Sequence, residues 1–157
     1  DVEYQVFRSL GKLGLRLGTG FYTATGNGRF RINVTKKSRE EYSFYLAPNS
    51  LDLVYYLDFF STQFMVPYAF GGGYYFTFLE TRDDNAAAKY GGALAANFGG
   101  GLAFKIDSLD RTAINQMDAD YGINHVYFIA EYEQIVGLNT TFDFTNQFFT
   151  GGIRVEF

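Results

Sequence analysis

Few side chains in this sequence are of types that could do chemistry, and their spacing limits what that chemistry could be. The single histidine, His125, opens the stretch "HVYFIAEYEQ", in which Glu131 and Glu133 share its odd-numbered side. A histidine beside a carboxylate suits general acid–base or nucleophilic work, provided a nucleophile stands within hydrogen-bond reach of the base. No serine follows on this stretch and the chain has no cysteine, so hydrolysis lacks its attacking group. His125 is expected to be a rim or turn residue. Glu131 and Glu133 have the spacing of a paired acid and base, since same-face strand neighbours lie about 6 to 7 Å apart. The same spacing suits two members of an ion network, which the cations elsewhere in the chain favour.

Other candidate motifs are incomplete. "GTGFYTATG", from Gly18, is glycine-rich like a phosphate loop, but no helix follows to present its amides. Asp83, Asp84 and Asn85 offer oxygen ligands without the rest of a calcium loop. The absence of cysteine removes any disulfide, thiolate or Cys-based metal site. No catalytic residue, metal or cofactor is therefore expected, and the chain reads as a non-enzyme. Its formal net charge of −4 argues against nucleic acid as a partner.

The elements that carry these residues are strands. Eighteen Phe, 13 Tyr and 18 Gly with only two Pro make a composition rich in strand formers and bend-makers. Alternation of period two predicts strands over residues 11–25, 28–36, 41–47, 51–60, 64–80, 88–107, 125–138 and 147–157, as one domain spanning 1–157. A period nearer four, at Leu109, Ala113, Met117 and Tyr121, predicts a short amphipathic helix over 109–120, capped by Ser108 and stopped by Gly122. Its apolar stripe is expected to pack as a lid over one end. Residues 59–79 carry no charge over the length of a membrane helix. They contain Pro67 and three consecutive glycines, which a helix interior resists, so they read as strand.

Alternation does not say which face points inward; volume does. The apolar face, including Phe64, Val66, Tyr68, Phe70, Tyr74, Phe76 and Phe78, and likewise Tyr42, Phe44 and Leu46, holds more bulk than an eight-stranded barrel encloses. The opposite face mixes glycine and alanine with Lys12, Arg16, Arg29, Arg31, Lys105 and Arg154, balanced by Asp52, Asp58, Asp107, Glu131, Glu133 and Glu156. The expected arrangement is a lumen ion network inside and an apolar belt outside, as in an all-β, eight-stranded antiparallel up-and-down transmembrane barrel. On the outer face, Gly92, Ala96 and Gly100 recur every four residues and form a candidate homo-oligomer seam.

These eight segments, the inward charges and the ending "GGIRVEF" resemble the small bacterial outer-membrane β-barrels, the group of the OmpA transmembrane domain, OmpX and OmpW. The resemblance implies an insertion signal at Gly152, Val155 and Phe157, a bacterial outer-membrane location, and membrane lipid and the outer-membrane insertion machinery as partners. A start at "DVEYQVF" fits a processed chain. Short second and third strands and a helix on the side where such barrels have tight turns depart from the pattern. The implied function is a structural, envelope-organising or surface-interaction role; the alternative is binding or transport of small hydrophobic molecules or lipids. Water-filled conduction is not expected of so narrow a barrel.

Overall fold

The computed structural model describes the chain except residues 30–36, 61–62, 84–86, 107–110 and 139–142, and leaves out the side chains of 28–29, 37–40 and 111–115. Among the described residues there are eight strands and one helix: β1 (Val2–Ser9), β2 (Gly11–Thr19), β3 (Tyr22–Arg29), β4 (Lys37–Tyr56), β5 (Met65–Arg82), β6 (Lys89–Lys105), α1 (Arg111–Tyr121), β7 (His125–Gly137) and β8 (Asn146–Glu156). Every pairing is antiparallel, in the order β1-β2-β4-β5-β6-β7-β8, with β3 also pairing with β4.

The all-β reading with eight antiparallel strands holds, but the strands are not the expected eight and the sheet does not close into a barrel. β1 lies ahead of the first expected strand. It folds back on β2 through Leu10 and Gly11, whose φ of 90° suits glycine. The expected third and fourth strands are one strand, β4, which runs through "APNS" without a break.

Pro48 sits in the middle of that strand and interrupts its neighbour instead. Its carbonyl accepts from the Gly20 amide at 3.0 Å, and the N–H that proline lacks would have faced the same side. The ladder with β4 is therefore lost at Gly20 and Phe21. Before this gap β2 pairs with residues 49–56, and after it β3 pairs with the first part of β4. β2 and β3 thus follow one another along one edge of β4, and eight strands fill seven places in the wall.

The wall curls tightly. β2 and β8 are five neighbour steps apart, about 24 Å in a flat sheet, yet Lys12 Nζ lies 2.9 Å from Glu156 Oε1. Curling places one face of each strand inside, and here the expected orientation is corrected for β5 and for the first part of β4. Val66, Tyr68, Phe70, Phe76 and Phe78 are buried. They point inward because β6 offers them room: Val66 faces Ala103, Tyr68 faces Gly101, Phe70 faces Gly99, Phe76 faces Ala93 and Phe78 faces Gly91. A Cβ on Gly99 would lie 2.5 Å from the Phe70 ring, and one on Gly101 would lie 2.7 Å from the Tyr68 ring. Large rings on one strand fill the space left by small residues on the next.

Continuity of β4 also settles the face of its early residues. With no register shift against β5, residues 42, 44 and 46 share a face with Ser50 and Asp52. Phe44 accordingly stacks on Phe78 at 6.0 Å, and Leu46 packs against the buried Phe76, Ala95 and Ile135. Phe144 and Phe148 close this apolar plug, with the Phe76 and Phe144 rings 4.6 Å apart.

The connection before β8 is braced by Asp143, which accepts from the Thr145 amide at 2.9 Å. That bond and one from the Thr145 hydroxyl hold the Asp143 carboxyl below its usual range. α1 ends as expected at Gly122, with Gly122 N donating to Asp118 O and Ile123 N to Met117 O. Of its stripe, Tyr121 is 73% exposed and Met117 half-buried, while Leu109 and the side chain of Ala113 lie outside the described residues. Ser108, the expected cap, lies outside the described residues.

The ring-into-glycine packing predicts that Gly99→Val lowers unfolding stability by about 1–3 kcal/mol, as overpacking does. Gly151→Ala, on a site whose nearest atom is 3.6 Å away, should change it by no more than about 0.5 kcal/mol. Denaturant midpoints of the purified variants test the contrast.

Candidate functional site: a charged interior beside an open edge

The inward face of β2, β4, β7 and β8 carries ionic side chains over one part of the interior, and the plug of Phe76, Phe144 and Phe148 fills another. Lys12 bridges Glu156 at 2.9 Å and Asp58 at 3.2 Å. Arg16 bridges Glu131 at 2.8 Å and Asp52 at 3.4 Å, with its guanidinium 4.2 Å over the Phe70 ring. Arg154 is held differently. Its guanidinium lies 4.3 Å from the Tyr56 ring and 4.4 Å from the Tyr127 ring, and the nearest carboxylate, Glu156, stands 3.9 Å away.

Carboxylates outnumber cations on this face among the described residues, and neutral donors serve the excess. Tyr56 donates to Glu3 at 2.6 Å, Tyr68 to Glu131 at 3.0 Å, Tyr127 to Glu156 at 3.2 Å and Tyr74 to Glu133 at 3.4 Å. Asn97 spans two acids, donating to Asp52 at 2.7 Å and to Glu133 at 2.8 Å. An unpaired buried charge is costly, so these hydroxyl and amide donors are as necessary as the ion pairs.

Of the expected network, the structure therefore brings together Lys12, Arg16, Asp52, Asp58, Glu131, Arg154 and Glu156, and ties Glu133 in through Asn97. Lys105 stands 5.8 Å from the Tyr127 ring. Arg31 and Asp107, and the side chain of Arg29, lie outside the described residues. Glu3 was missed together with its strand, and Asn97 was passed over although it is the one polar residue in "GALAANFGG". The tyrosines were counted only as bulk. Their alternation with carboxylates on facing strands becomes visible only once the register is known.

Glu131 is bonded to Arg16 and Tyr68, and Glu133 to Asn97 and Tyr74. His125 lies opposite Glu156 in the β7–β8 ladder, with its ring 6.1 Å from that of Tyr127. Among the described residues no three His, Asp or Glu side chains gather as a metal site.

Beside the ion network the wall is open. β1 pairs only with β2 and β8 only with β7. Between them lies a cleft of about 640 Å³, lined by Glu3, Tyr4 and Gln5 on one side and Ile153, Arg154 and Val155 on the other. The rim is apolar, with Tyr4 75% and Ile153 71% exposed, while the floor is charged.

The residues of the resembled insertion signal end this edge. Val155 and Phe157 face outward, and Gly152 faces the Ile129 side chain at 3.7 Å. In the candidate seam the Tyr75 ring already covers Gly92, and the Tyr68 carbonyl lies 3.0 Å from a Cβ built on Gly100. Ala96 floors an apolar hollow of about 550 Å³ walled by Leu51, Tyr75, Leu94 and Leu138.

No family model, curated protein or solved structure matches the chain. The likeness to small outer-membrane barrels thus rests on sequence pattern alone.

The two arginines separate ion pairing from ring stacking. Arg16→Leu takes the cation from Asp52 and Glu131, leaving them only the neutral donors Asn97 and Tyr68, and should cost about 3–5 kcal/mol. Arg154→Leu gives up mainly its ring contacts and should cost about 1–2 kcal/mol. Equal losses in chemical denaturation would show that the carboxylates do not need Arg16.

Proposed function

We propose that this chain forms the wall of a small bacterial outer-membrane barrel. Its role there is structural, envelope-organising or surface-interacting, and it carries no catalytic activity. The observation that supports this reading most is the outer face. Leu15, Leu17, Leu51, Leu53, Leu94, Phe98, Phe128 and Ile153 are all more than a third exposed, on five strands, while Lys12, Arg16, Asp52, Glu131, Glu133, Arg154 and Glu156 of the same strands other than β6 turn inward. Water-soluble monomers rarely leave so continuous an apolar surface uncovered, and lipid is the solvent that suits it. No helix among the described residues is long and apolar enough to cross a membrane, which says nothing about crossing by strands.

In this reading the partners are membrane lipid and the insertion machinery that reads Gly152, Val155 and Phe157. A homo-oligomer contact at Ala96 uses the hollow between Leu51 and Leu94. The same hollow favours a second reading, in which a small hydrophobic molecule or lipid is held beside the wall. The apolar plug at Phe76, Phe144 and Phe148 supports a role without water-filled conduction.

The membrane reading is tested by Leu53→Arg, which places a cation on the outer face beside Leu15 and Gly71. In lipid it should destabilise by about 2–4 kcal/mol, the cost of an arginine near the bilayer midplane. On a wall facing water the change would stay within about 0.5 kcal/mol. Folding titrations in liposomes give the difference, and a wild-type chain that stays monomeric in buffer without detergent would overturn the proposal.

A further inference from the structure

We propose that the cleft between β1 and β8 receives a β-strand from a second polypeptide, running antiparallel to both edges and filling an eighth place in the wall. Direction is the first argument. Along β1-β2-β4-β5-β6-β7-β8 each step reverses the chain, and six reversals leave β1 and β8 pointing the same way. These two edges cannot pair antiparallel with each other, whereas a single strand of opposite direction pairs antiparallel with both. Because β2 and β3 share one place, the wall is one place short of an even number. A single added strand restores it and leaves neither β1 nor β8 with an unpaired edge.

The edges themselves are fit to pair. Neither β1 nor β8 contains a proline or a lysine, two of the devices that guard exposed edges. The inward charges Glu3 and Arg154 are engaged by the Tyr56 hydroxyl and by ring stacking. The one bulge, between Gln5 and Phe7, falls at the end of the cleft stretch. The cleft also states the chemistry of its occupant. Outward side chains would lie beside Tyr4, Ile153 and Val155 and must be apolar. Inward ones meet Arg154, whose Nη1 is buried without a hydrogen-bond partner, on a floor that Glu3, Glu156, Lys12 and Arg16 also line. An inward residue with an acceptor, a carboxylate or an amide oxygen, satisfies it. The partner segment is thus an extended strand with apolar and acceptor-bearing residues in alternation. This inference goes beyond the membrane reading and does not depend on it, because the direction of the edges is the same in either solvent.

A synthetic peptide of the β7 sequence, HVYFIAEYEQIVG, serves as probe, because it pairs antiparallel with β8 in the fold and carries two glutamates on one face. Added to the wild-type chain in detergent, it should slow amide exchange at least tenfold at residues 3–5 of β1 and 153–155 of β8 together. The same peptide with both glutamates replaced by lysine should not. Arg154→Leu should weaken binding about tenfold. With no native cysteine in the chain, Tyr4→Cys with Ile153→Cys should form no internal disulfide before the peptide is added. Protection of one edge only, or of neither, would overturn the proposal, and so would a disulfide that closes without peptide. A co-purified lipid or detergent that keeps the peptide out of the cleft would overturn it in favour of an amphiphile.

Discussion

The curl of the wall depends on ions that meet across its interior. Lys12 and Arg16 stand on β2, near one end of the sheet order, and their carboxylates Glu156 and Glu131 stand on β8 and β7 at the other. Twist alone bends a sheet, but it does not bring the tip of a β2 side chain within 3 Å of one on β8. Once the ends approach, the space between them decides the rest. Only small residues on β6 leave room for the β5 rings, and only hydroxyl and amide donors can serve the carboxylates that no cation reaches.

The interior is thus divided by chemistry. Around Arg16 every acid has a donor, and the aromatic rings of Phe70, Tyr56 and Tyr127 shield the guanidinium groups by stacking on them. Around Phe76, Leu46, Ile135, Phe144 and Phe148 close the space with apolar side chains. A polar network that is satisfied throughout rigidifies a fold, and one that is half satisfied weakens it. This network is incomplete at Asn97 Oδ1 and at Arg154 Nη1, and the second lies at the open edge.

Much of this was legible in the sequence, and the parts that were not share one cause. Alternation locates strands but carries no sign, so a strand read in isolation can be assigned to the wrong face. β6, β7 and β8 were oriented correctly because charged or glycine positions alternate with Leu, Phe or Ile. β5 has aromatic residues on one face and glycine, alanine and threonine on much of the other. Bulk suggested outward, but the glycines of its neighbour made inward the better-packed choice. "APNS" reads as a turn because proline and asparagine are turn formers. Pro48 stays inside β4 because its carbonyl still accepts from Gly20, and the hydrogen bond it cannot make breaks the neighbouring strand between β2 and β3 and not β4 itself. β1 was missed because the mixed residues of "VEYQVFRS" acquire a pattern only beside β2, where Glu3 comes opposite Arg16.

The open edge and the apolar outer face constrain one another. Backbone groups without partners cost several kcal/mol each in hydrocarbon, and no improvement in packing elsewhere offsets a whole row of them. Water would satisfy the edges, but it would leave Leu53, Phe98 and Ile153 exposed on the same surface. Lipid would cover those side chains but not the edges of β1 and β8. A wall of seven places therefore suits neither solvent by itself. Repacking cannot remove the conflict, because it comes from the number of chain reversals and not from any side chain. Adding one strand of opposite direction removes it, since the same addition satisfies both edges and completes the outer face.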